Sequence, residues 1–515
     1  MRARLVGLSA LTAGVVLVFG GGFVPPVVAQ DRGALAADLD AILASPGMEG
    51  SDVGLVVTTS DGDLVYSHTS AGRQQPASNL KLVTSAAAFD ILGPGYRFDT
   101  TVHTGGRRAG HVLDGDLYLK GTGDPTMLAA DYDALAAQVA ARGVKLVRGK
   151  LFADDTWFDS VRLGVSWAWD DEPYSYNAQV SALTAAPDTD YDAGSIIVRV
   201  APGADGRAVV TTEPPTDYVR IANTAVTGPA GSANTISVDR PHGSNTFTVT
   251  GSIPSGGTAT SEWMAVWEPT GYAAALFRAA LARHGVRVLG GTALGATPAS
   301  APVVASHRSM TLRELAVPFL KLSNNLHAET LVKAMGRKAS GQGTWRAGLA
   351  AVAAGLPAYG VDPARLSLED GSGLSRMDQI APDQLAAVLG AARSRPWFAD
   401  WYAALPIAGE PERFVGGTLR SRMRGTAAQG NVHAKTGSLT GVSGLSGYVT
   451  TAAGEQWVFS MVTNNFVGVN VRALEDAVAV RLAQEGGAVT ARAVTPAPAL
   501  TPGMSELECG WVKAC

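Results

Sequence analysis

The stretch Pro76-Ala77-Ser78-Asn79-Leu80-Lys81 places a serine three residues before a lysine, and the fold that the chain predicts is arranged around it. Apolar residues follow at helical spacing as far as Leu92, and Gly93-Pro94 then ends the pattern, which predicts a helix over residues 78–92. Residues three apart share a helix face, so the Lys81 amine is expected beside the Ser78 hydroxyl. The unpaired N–H groups of the first turn favour a developing oxyanion. The stretch therefore predicts a nucleophilic serine with a base beside it.

Two further motifs lie far downstream of Ser78, namely Ser323-Asn324-Asn325 and Lys435-Thr436-Gly437-Ser438. A serine hydroxyl is a poor nucleophile at neutral pH unless a neighbouring group takes its proton. A lysine does so only when burial or nearby positive charge keeps its amine neutral. The chain therefore carries S-x-x-K, S-x-N and K-T-G motifs in this order. The alternative, a helix-capping serine and solvated lysines, requires all three ordered motifs to arise by chance.

Composition indicates a globular protein of two or three domains. The chain has 515 residues, 46% of them hydrophobic and 17% charged, which is enough for a large core. The net charge of −4 gives no reason to propose nucleic-acid binding. The two cysteines, Cys509 and Cys515, lie too close to the end of the chain to form a disulfide framework. They either close a small terminal loop in an oxidising compartment or are idle.

The first residues predict export from the cytoplasm. Arg2 and Arg4 precede an uncharged run with an apolar centre, and the run ends in Val27-Val28-Ala29. This pattern is typical of a secretory signal peptide over residues 1–29, with cleavage after Ala29, so we expect a secreted, extracytoplasmic protein. The alternative is an uncleaved membrane anchor, although Gly20-Gly21-Gly22 and Pro25-Pro26 would weaken a spanning helix.

Two separated segments, residues 30–97 and 305–486, predict one α+β core. A helix over residues 31–43 precedes strands at residues 53–59 and 64–68, and Thr311-Leu312-Arg313-Glu314 is a capping box that starts a helix ending near Ser323. A second helix is expected from Ala328. The K-T-G motif opens a meander of strands that continues at residues 447–451 and 457–463 before a helix over residues 471–483. Residues 487–515 predict a loose C-terminal tail.

Residues 98–304 predict a large insertion between the first two motifs. Short strand-like pieces alternate with glycine, proline, asparagine and serine, and two helical pieces lie at residues 132–142 and 272–284. The 245 residues between Ser78 and Ser323 exceed what a compact core needs there. One or two strand-rich extra domains are expected.

The three motifs together resemble those of the penicillin-binding proteins and serine β-lactamases. The long interval after Ser78 and two more segments make the resemblance more specific: the chain is similar to the class C low-molecular-weight penicillin-binding proteins of the actinobacterial type. These are the D-alanyl-D-alanine carboxypeptidases and endopeptidases of peptidase family S13. Those segments are Asp114-Gly115-Asp116-Leu117-Tyr118-Leu119-Lys120-Gly121-Thr122-Gly123-Asp124-Pro125 and Asp370-Gly371-Ser372-Gly373-Leu374-Ser375-Arg376.

The resemblance implies a penicillin-binding-protein core and a substrate, the peptidoglycan stem peptide that ends in D-Ala-D-Ala. It also implies β-lactam antibiotics as covalent inhibitors and a location at the cell wall. No cofactor is expected. No metal is expected either, since His327 and His433 beside the motifs lack a second histidine at ligand spacing. The oligomeric state is not predicted.

The resemblance also implies catalytic roles, carried over motif by motif. Ser78 is the acylated serine, Lys81 is the base for acylation, and Ser323 passes a proton to the leaving amine. Asn325 holds a substrate amide. Which group accepts the serine proton is an open question for this enzyme class as a whole.

The third motif is assigned to the carboxylate end of the substrate. A free carboxylate requires a cation and hydroxyl groups, which Lys435, Thr436 and Ser438 supply. Gly437 lets a substrate backbone approach the strand edge. The backbone N–H groups of Ser78 and Ser438 form the oxyanion hole by resemblance.

Substrate side-chain recognition is expected from two other segments. In the family, the segment with Ser372, Gly373 and Arg376 lines the cleft, whereas its composition alone fits an ordinary surface turn. Asp171 and Tyr176 belong to an aromatic and acidic cluster, and an Asp171–Arg376 pair would hold the zwitterionic end of diaminopimelate. Asp170 fits the same role. The alternative for the cluster is a solvated loop with packed tryptophans.

Two rival functions share these motifs. A β-lactamase or esterase would use the same serine–lysine chemistry, but the E-x-x-L-N segment of class A β-lactamases is absent between the first two motifs. A non-catalytic penicillin-binding or cell-wall-binding module would be acylated without productive release.

Overall fold

The computed structural model describes residues 32–487, and its helices account for much of this range. In chain order they are α1 (Arg32–Leu43), α2 (Leu80–Ile91), α3 (Ala129–Ala141), α4 (Pro269–Arg283), α5 (Leu312–Lys321), α6 (Asn325–Ser340), α7 (Trp345–Gly355), α8 (Pro382–Ala392), α9 (Phe398–Ala404), α10 (Arg413–Gly416) and α11 (Val471–Ala483).

The strands of the same range occur mostly in runs between these helices. They are β1 (Asp52–Thr59), β2 (Leu64–His68), β3 (Asp99–Ala109), β4 (Val112–Gly121), β5 (Leu146–Val147), β6 (Leu151–Asp154), β7 (Ser195–Pro202), β8 (Ala208–Glu213), β9 (Arg220–Asn223), β10 (Val226–Gly228), β11 (Ser237–Asp239), β12 (Thr246–Thr250), β13 (Ser252–Pro254), β14 (Thr260–Ala265), β15 (Arg287–Val288), β16 (Thr292–Leu294), β17 (Val303–Arg308), β18 (His433–Leu439), β19 (Val442–Thr450) and β20 (Gln456–Asn464).

The central sheet joins the two ends of the described chain. Its five antiparallel strands have the order β18-β19-β20-β1-β2. Successive side chains of a strand point to opposite faces, so Leu55 and Val57 pack in the apolar cluster with α1 and α11. Val56 packs on the other face, in the cluster that α2 and α8 share. The predicted α+β arrangement, an antiparallel sheet flanked by helices, is confirmed.

Helix α2 lies in the middle of the helical layer, and every residue from Leu80 to Phe89 is buried. A helix that is covered on all sides needs small or apolar residues around its whole circumference, and this one has them at every buried position except Lys81. The spacing predicts that Ser78 opens the α-helix, but α2 begins only at Leu80. Ser78 lies in a short 3₁₀ turn, Ala77–Asn79, because Ala77 has a φ of +46° and turns the chain sharply before α2 begins.

The second motif occupies the link between α5 and α6. The Thr311–Glu314 capping box is present, since the Thr311 hydroxyl accepts from the Glu314 N–H and the Glu314 carboxylate accepts from the Thr311 N–H. Helix α6 begins at Asn325, three residues earlier than predicted. The reason is that the Asn324 side chain accepts from the His327 N–H and caps the helix there.

The region between the first two motifs has sheets and an apolar core of its own. Strands β15, β5, β4, β3 and β17 form the path of the largest sheet, with β6 and β16 attached through β4. Two three-stranded sheets and one two-stranded sheet complete it, and α3 and α4 pack in the same apolar cluster. Because β17 pairs with β3, this sheet extends past residue 304. The predicted domain boundaries stay a prediction.

Three predictions fall outside the described residues: the signal peptide over residues 1–29, the tail beyond residue 487, and the state of Cys509 and Cys515. Between residues 32 and 487, none of the helices combines the length and the apolar character needed to cross a membrane.

Candidate active site

The first motif places a lysine amine against the serine hydroxyl. Lys81 Nζ lies 2.6 Å from Ser78 Oγ, and the Lys81 side chain is completely buried. The same amine donates to Asn325 Oδ1 at 2.7 Å and to the carbonyl oxygen of Ser372 at 2.9 Å. A protonated amine has three N–H donors, and these three oxygens can accept all of them. Once neutral, the amine has a lone pair that can accept the Ser78 proton.

The second motif faces the first from the α5–α6 link. Ser323 is fully buried and has a φ of +59°, a left-handed conformation that costs a residue other than glycine on the order of 1 kcal/mol. Its hydroxyl accepts from Lys435 Nζ at 2.7 Å. The Asn325 side chain contacts Lys81 through its Oδ1, and its Nδ2 donates to the carbonyl oxygen of Tyr176 at 2.8 Å. The structure therefore brings all three motifs into one cluster.

The third motif lies on β18, the strand at the end of the central sheet. A Cβ on Gly437 would come within 2.6 Å of Asn79 Nδ2 and 2.8 Å of the Pro76 carbonyl oxygen, so only glycine lets the Ser78 turn approach this closely. The Thr436 hydroxyl donates to the Thr418 hydroxyl at 2.9 Å. Ser438 Oγ accepts from the Arg472 guanidinium at 3.1 Å.

The glycine-rich segment over residues 370–376 packs on the Ser78 turn. The Asp370 carboxylate holds its bend, accepting from the N–H groups of Gly373 and Ser375 at 2.7 Å each. Gly373 has a φ of +82°, and a Cβ there would lie 1.9 Å from the Ala77 carbonyl oxygen. This close approach places the Ser372 carbonyl against Lys81. The segment up to Ser375 is buried, so it is not an ordinary surface turn.

Glu329 lies behind this segment and was not found by sequence reasoning. It is completely buried, and its carboxylate accepts from the N–H groups of Ser372 at 2.8 Å and Gly371 at 3.0 Å and from the Trp345 indole at 2.6 Å. Burial, and then the charge of Asp370, raise the pKa of Glu329 to about 7. Its position one helical turn after Asn325, on the same face of α6, is the signal that would have indicated it.

Asp171 and Tyr176 meet at the edge of the cluster. The Tyr176 hydroxyl donates to Asp171 Oδ1 at 2.8 Å, and its ring stacks on Tyr174 at a centroid distance of 5.6 Å. Burial raises the pKa of Asp171, and the charge of Arg376 opposes this shift. Arg376 also donates to the Thr440 carbonyl at 2.8 Å. Asp170 is exposed, so the geometry favours Asp171 for the predicted pair.

The two histidines near the motifs have neighbours that suit a structural role. His433 stacks on Tyr402 at 4.2 Å, and burial lowers its pKa to about 4, so it is neutral at pH 7. His327 Nε2 is 2.9 Å from the Tyr191 carbonyl oxygen.

Three features define the active-site-serine, penicillin-recognising class of proteins: a serine just before a buried helix that carries the lysine, a serine on an interhelical link, and a K-T-G motif on the edge strand of an antiparallel sheet. Within that class, the chain belongs to the family described as D-Ala-D-Ala carboxypeptidase 3 (S13), whose family model matches residues 35–485.

Individual relatives agree with this assignment. The chain is 48% identical over 501 residues to a D-alanyl-D-alanine carboxypeptidase of Actinomadura sp., covering 95% of this chain and 93% of the relative. It is 27% identical over 427 residues to the D-alanyl-D-alanine carboxypeptidase DacB of Haemophilus influenzae, covering 81% of this chain and 86% of the relative.

Solved structures show the same fold. The crystal structure of penicillin binding protein 4 (dacB) from Haemophilus influenzae superposes with a TM-score of 0.74 at 25% identity, covering 87% of this chain and 98% of that chain. A second structure of that protein, complexed with a novel β-lactam, gives a TM-score of 0.69 at the same identity and coverage. The predicted family, fold class and enzyme class, a D-Ala-D-Ala carboxypeptidase of peptidase family S13, are confirmed.

Replacing Gly373 by alanine tests the contact between the 370–376 segment and the Ser78 turn. The new Cβ would overlap the Ala77 carbonyl, so the segment must move and withdraw the Ser372 carbonyl from Lys81. We expect the release of D-alanine from a D-Ala-D-Ala peptide to slow by about 100-fold, the scale on which misplacing a catalytic group acts. Gly360→Ala is the matched control, because Gly360 also has a positive φ but an added Cβ meets no atom within 4 Å. Equal rates of D-alanine release in the two variants would contradict the contact.

Replacing Glu329 by glutamine tests its raised pKa. The folded state disfavours the ionised carboxylate, so the stability that the neutral form provides is complete below the ordinary pKa of about 4.5 and is lost as pH rises through about 7. Relative to Glu329→Gln, the unfolding free energy of the parent chain should therefore fall by roughly 3 kcal/mol between pH 4.5 and pH 8. Urea unfolding across this range measures the difference. A constant difference between the two proteins would show that Glu329 does not titrate there.

Proposed function

We propose that this protein is a secreted serine peptidase that removes the terminal D-alanine from peptidoglycan stem peptides or cuts their cross-links, through an acyl-enzyme on Ser78. β-Lactams inhibit it by acylating the same serine. The observation that carries this proposal is the 2.6 Å contact between Lys81 Nζ and Ser78 Oγ, with the Lys435–Ser323 pair in the same cluster. The signal-like pattern over residues 1–29 supports secretion, since the substrate lies outside the cytoplasm.

Acylation follows from the positions of these groups. Ser78 Oγ attacks the carbonyl carbon of the penultimate D-alanine, and its proton passes to neutral Lys81. The peptide C–N bond breaks, and the proton that Lys81 received passes through the Ser323 hydroxyl to the leaving amine, so that Lys81 is neutral and Ser323 protonated again when D-alanine departs. The N–H groups of Ser78 and Ser438 stabilise the oxyanion, each donor contributing about 3–4 kcal/mol by analogy with other acyl-transfer sites. Water then hydrolyses the ester and regenerates the serine.

The third motif provides the recognition of the terminal carboxylate. The Lys435 amine supplies the cation, and the hydroxyl groups of Thr436 and Ser438 lie on the same face of β18 because they are two residues apart. A carboxylate is bound best by charge-assisted hydrogen bonds of this kind. Asn325, which contacts both Lys81 and the Tyr176 carbonyl, holds the substrate amide.

The stem-peptide side chain is recognised by Asp171 and Arg376. Their charges interact, and Tyr176 fixes the Asp171 carboxylate through its hydroxyl. An acid and a base at one end of the cleft match the ammonium and carboxylate at the end of the diaminopimelate side chain. Among stem peptides, those with diaminopimelate at the third position are therefore the proposed substrate class.

The acylated residue can be located by mass spectrometry of the penicillin adduct. We expect one β-lactam per chain on the peptide that contains Ser78, none in Ser78→Ala, and adduct formation about 10²–10⁴-fold slower in Lys81→Ala, which lacks the base. Lys338→Ala, at an exposed position on α6, is the control and should react like the parent.

Release of free D-alanine from a D-Ala-D-Ala peptide distinguishes the rival functions. An adduct without D-alanine release would indicate a non-catalytic module. Hydrolysis of a chromogenic cephalosporin over many turnovers would indicate a β-lactamase.

Side-chain preference is tested by comparing stem peptides that carry diaminopimelate or lysine. Arg376→Ala and Asp171→Asn should lower kcat/KM for the diaminopimelate peptide by about 10- to 100-fold, the cost of leaving a charged partner unpaired. Arg376→Ala should affect the lysine peptide far less, since that side chain lacks the carboxylate. Asp170→Asn serves as the matched control with little change. Equal losses on both peptides in Arg376→Ala would refute the assignment.

A further inference from the structure

Arg472 contacts the third motif from outside the sheet. It lies in the first turn of α11, and its Nη2 donates to Ser438 Oγ at 3.1 Å. The N-terminal end of a helix carries a partial positive charge, so an arginine there is less favourable for helix stability than an uncharged residue. The contact with Ser438 connects this guanidinium to the third motif.

A chain of hydrogen bonds connects the backbone of Arg472 to the central sheet. Its carbonyl oxygen accepts from Arg422 Nη2 at 3.2 Å, and Arg422 is paired with the buried Glu475 at 2.9 Å. Glu475 in turn accepts from the Ser443 hydroxyl at 2.7 Å, and Ser443 lies opposite Ser438 in the register of β18 and β19. The first turn of α11 and the third motif are therefore fixed relative to each other.

The contact determines what the Ser438 hydroxyl can do. A hydroxyl group has one hydrogen to donate and can accept through its oxygen. Since Ser438 Oγ accepts from a guanidinium, its own hydrogen is directed towards a different acceptor. Ser438 and Arg472 also line the same open groove of about 550 Å³, together with Thr440 and Phe466. An anion that reaches Ser438 from this side meets the guanidinium as well.

We propose that Arg472 is a positioning and specificity-determining residue: it orients the Ser438 hydroxyl as a donor to the terminal carboxylate of the substrate and adds a second positive charge to that of Lys435. This inference rests on the proposed function. It assigns to α11 a part in carboxylate recognition that the three motifs do not contain.

A pair of acyl-D-alanyl thioesters tests the proposal, one with a thioglycolate leaving group, which carries a carboxylate, and one with its neutral methyl ester. Arg472→Gln should lower kcat/KM for the carboxylate substrate by about 10- to 100-fold and for the neutral substrate by less than about threefold. Arg472→Lys should recover part of the loss, because it keeps the charge without the forked geometry. Arg346→Gln, at an exposed position on α7, is the matched control.

A double-mutant cycle tests the route through Ser438. If Arg472 acts through this hydroxyl, Arg472→Gln should cost the carboxylate substrate much less in a Ser438→Ala background than in the parent. Additive effects would overturn the positioning role. Equal losses on both thioesters, or no loss on either, would overturn the proposal as a whole.

Penicillin and its methyl ester separate this proposal from the proposed peptidase activity. The same variants can be compared by the rate of adduct formation on Ser78, with unfolding temperature as the folding control. If the parent chain forms penicillin adducts but releases no D-alanine from a D-Ala-D-Ala peptide, the peptidase proposal fails. In that case the role of Arg472 is still decided by the rate of adduct formation, which Arg472→Gln should lower for penicillin but not for its methyl ester.

Discussion

The buried amine of Lys81 is the constraint on which the arrangement of the active site depends. An amine removed from water is costly unless oxygen atoms replace its hydration, and here those atoms come from three separate parts of the chain. Ser78 belongs to the turn before α2, Asn325 to the start of α6 and Ser372 to a loop between helices. Displacement of one part would remove one of these acceptors from the buried amine, so the contacts of Lys81 also join these segments.

Local patterns predicted those parts of the fold that local forces determine. The helix over residues 471–483 agrees with α11 at both ends, and the Thr311 capping box starts α5 as predicted. The motif order also indicated which residues meet. The left-handed conformations of Ala77 and Ser323 could not be predicted from the sequence, because long-range packing imposes them on residues that do not prefer them. Glu329 was missed for a similar reason, since its partners lie more than 15 residues away along the chain.

The inserted region contributes directly to the second motif, which its length and composition did not reveal. The Tyr176 carbonyl accepts from Asn325, and the Tyr191 carbonyl accepts from Asn324 at 3.0 Å. Two of the three residues of the S-x-N motif are thus oriented by backbone groups of the insertion. Replacing the insertion by a short loop would leave both amides without these acceptors. The insertion therefore supports the catalytic geometry as well as any wider role on its own surface.

The distribution of charge around the cleft explains why the net charge of the chain says little about its ligand. Lys81 and Lys435 contact the hydroxyl groups of Ser78 and Ser323. Glu329 and Asp370 are both buried, and their carboxylates accept from backbone and indole N–H groups that hold the 370–376 segment. Acids placed behind a layer of peptide groups fix the layer without offering a negative surface to the substrate. Cations that share one cleft attract an anionic chain end. A slightly acidic protein can in this way present a positive site for a carboxylate.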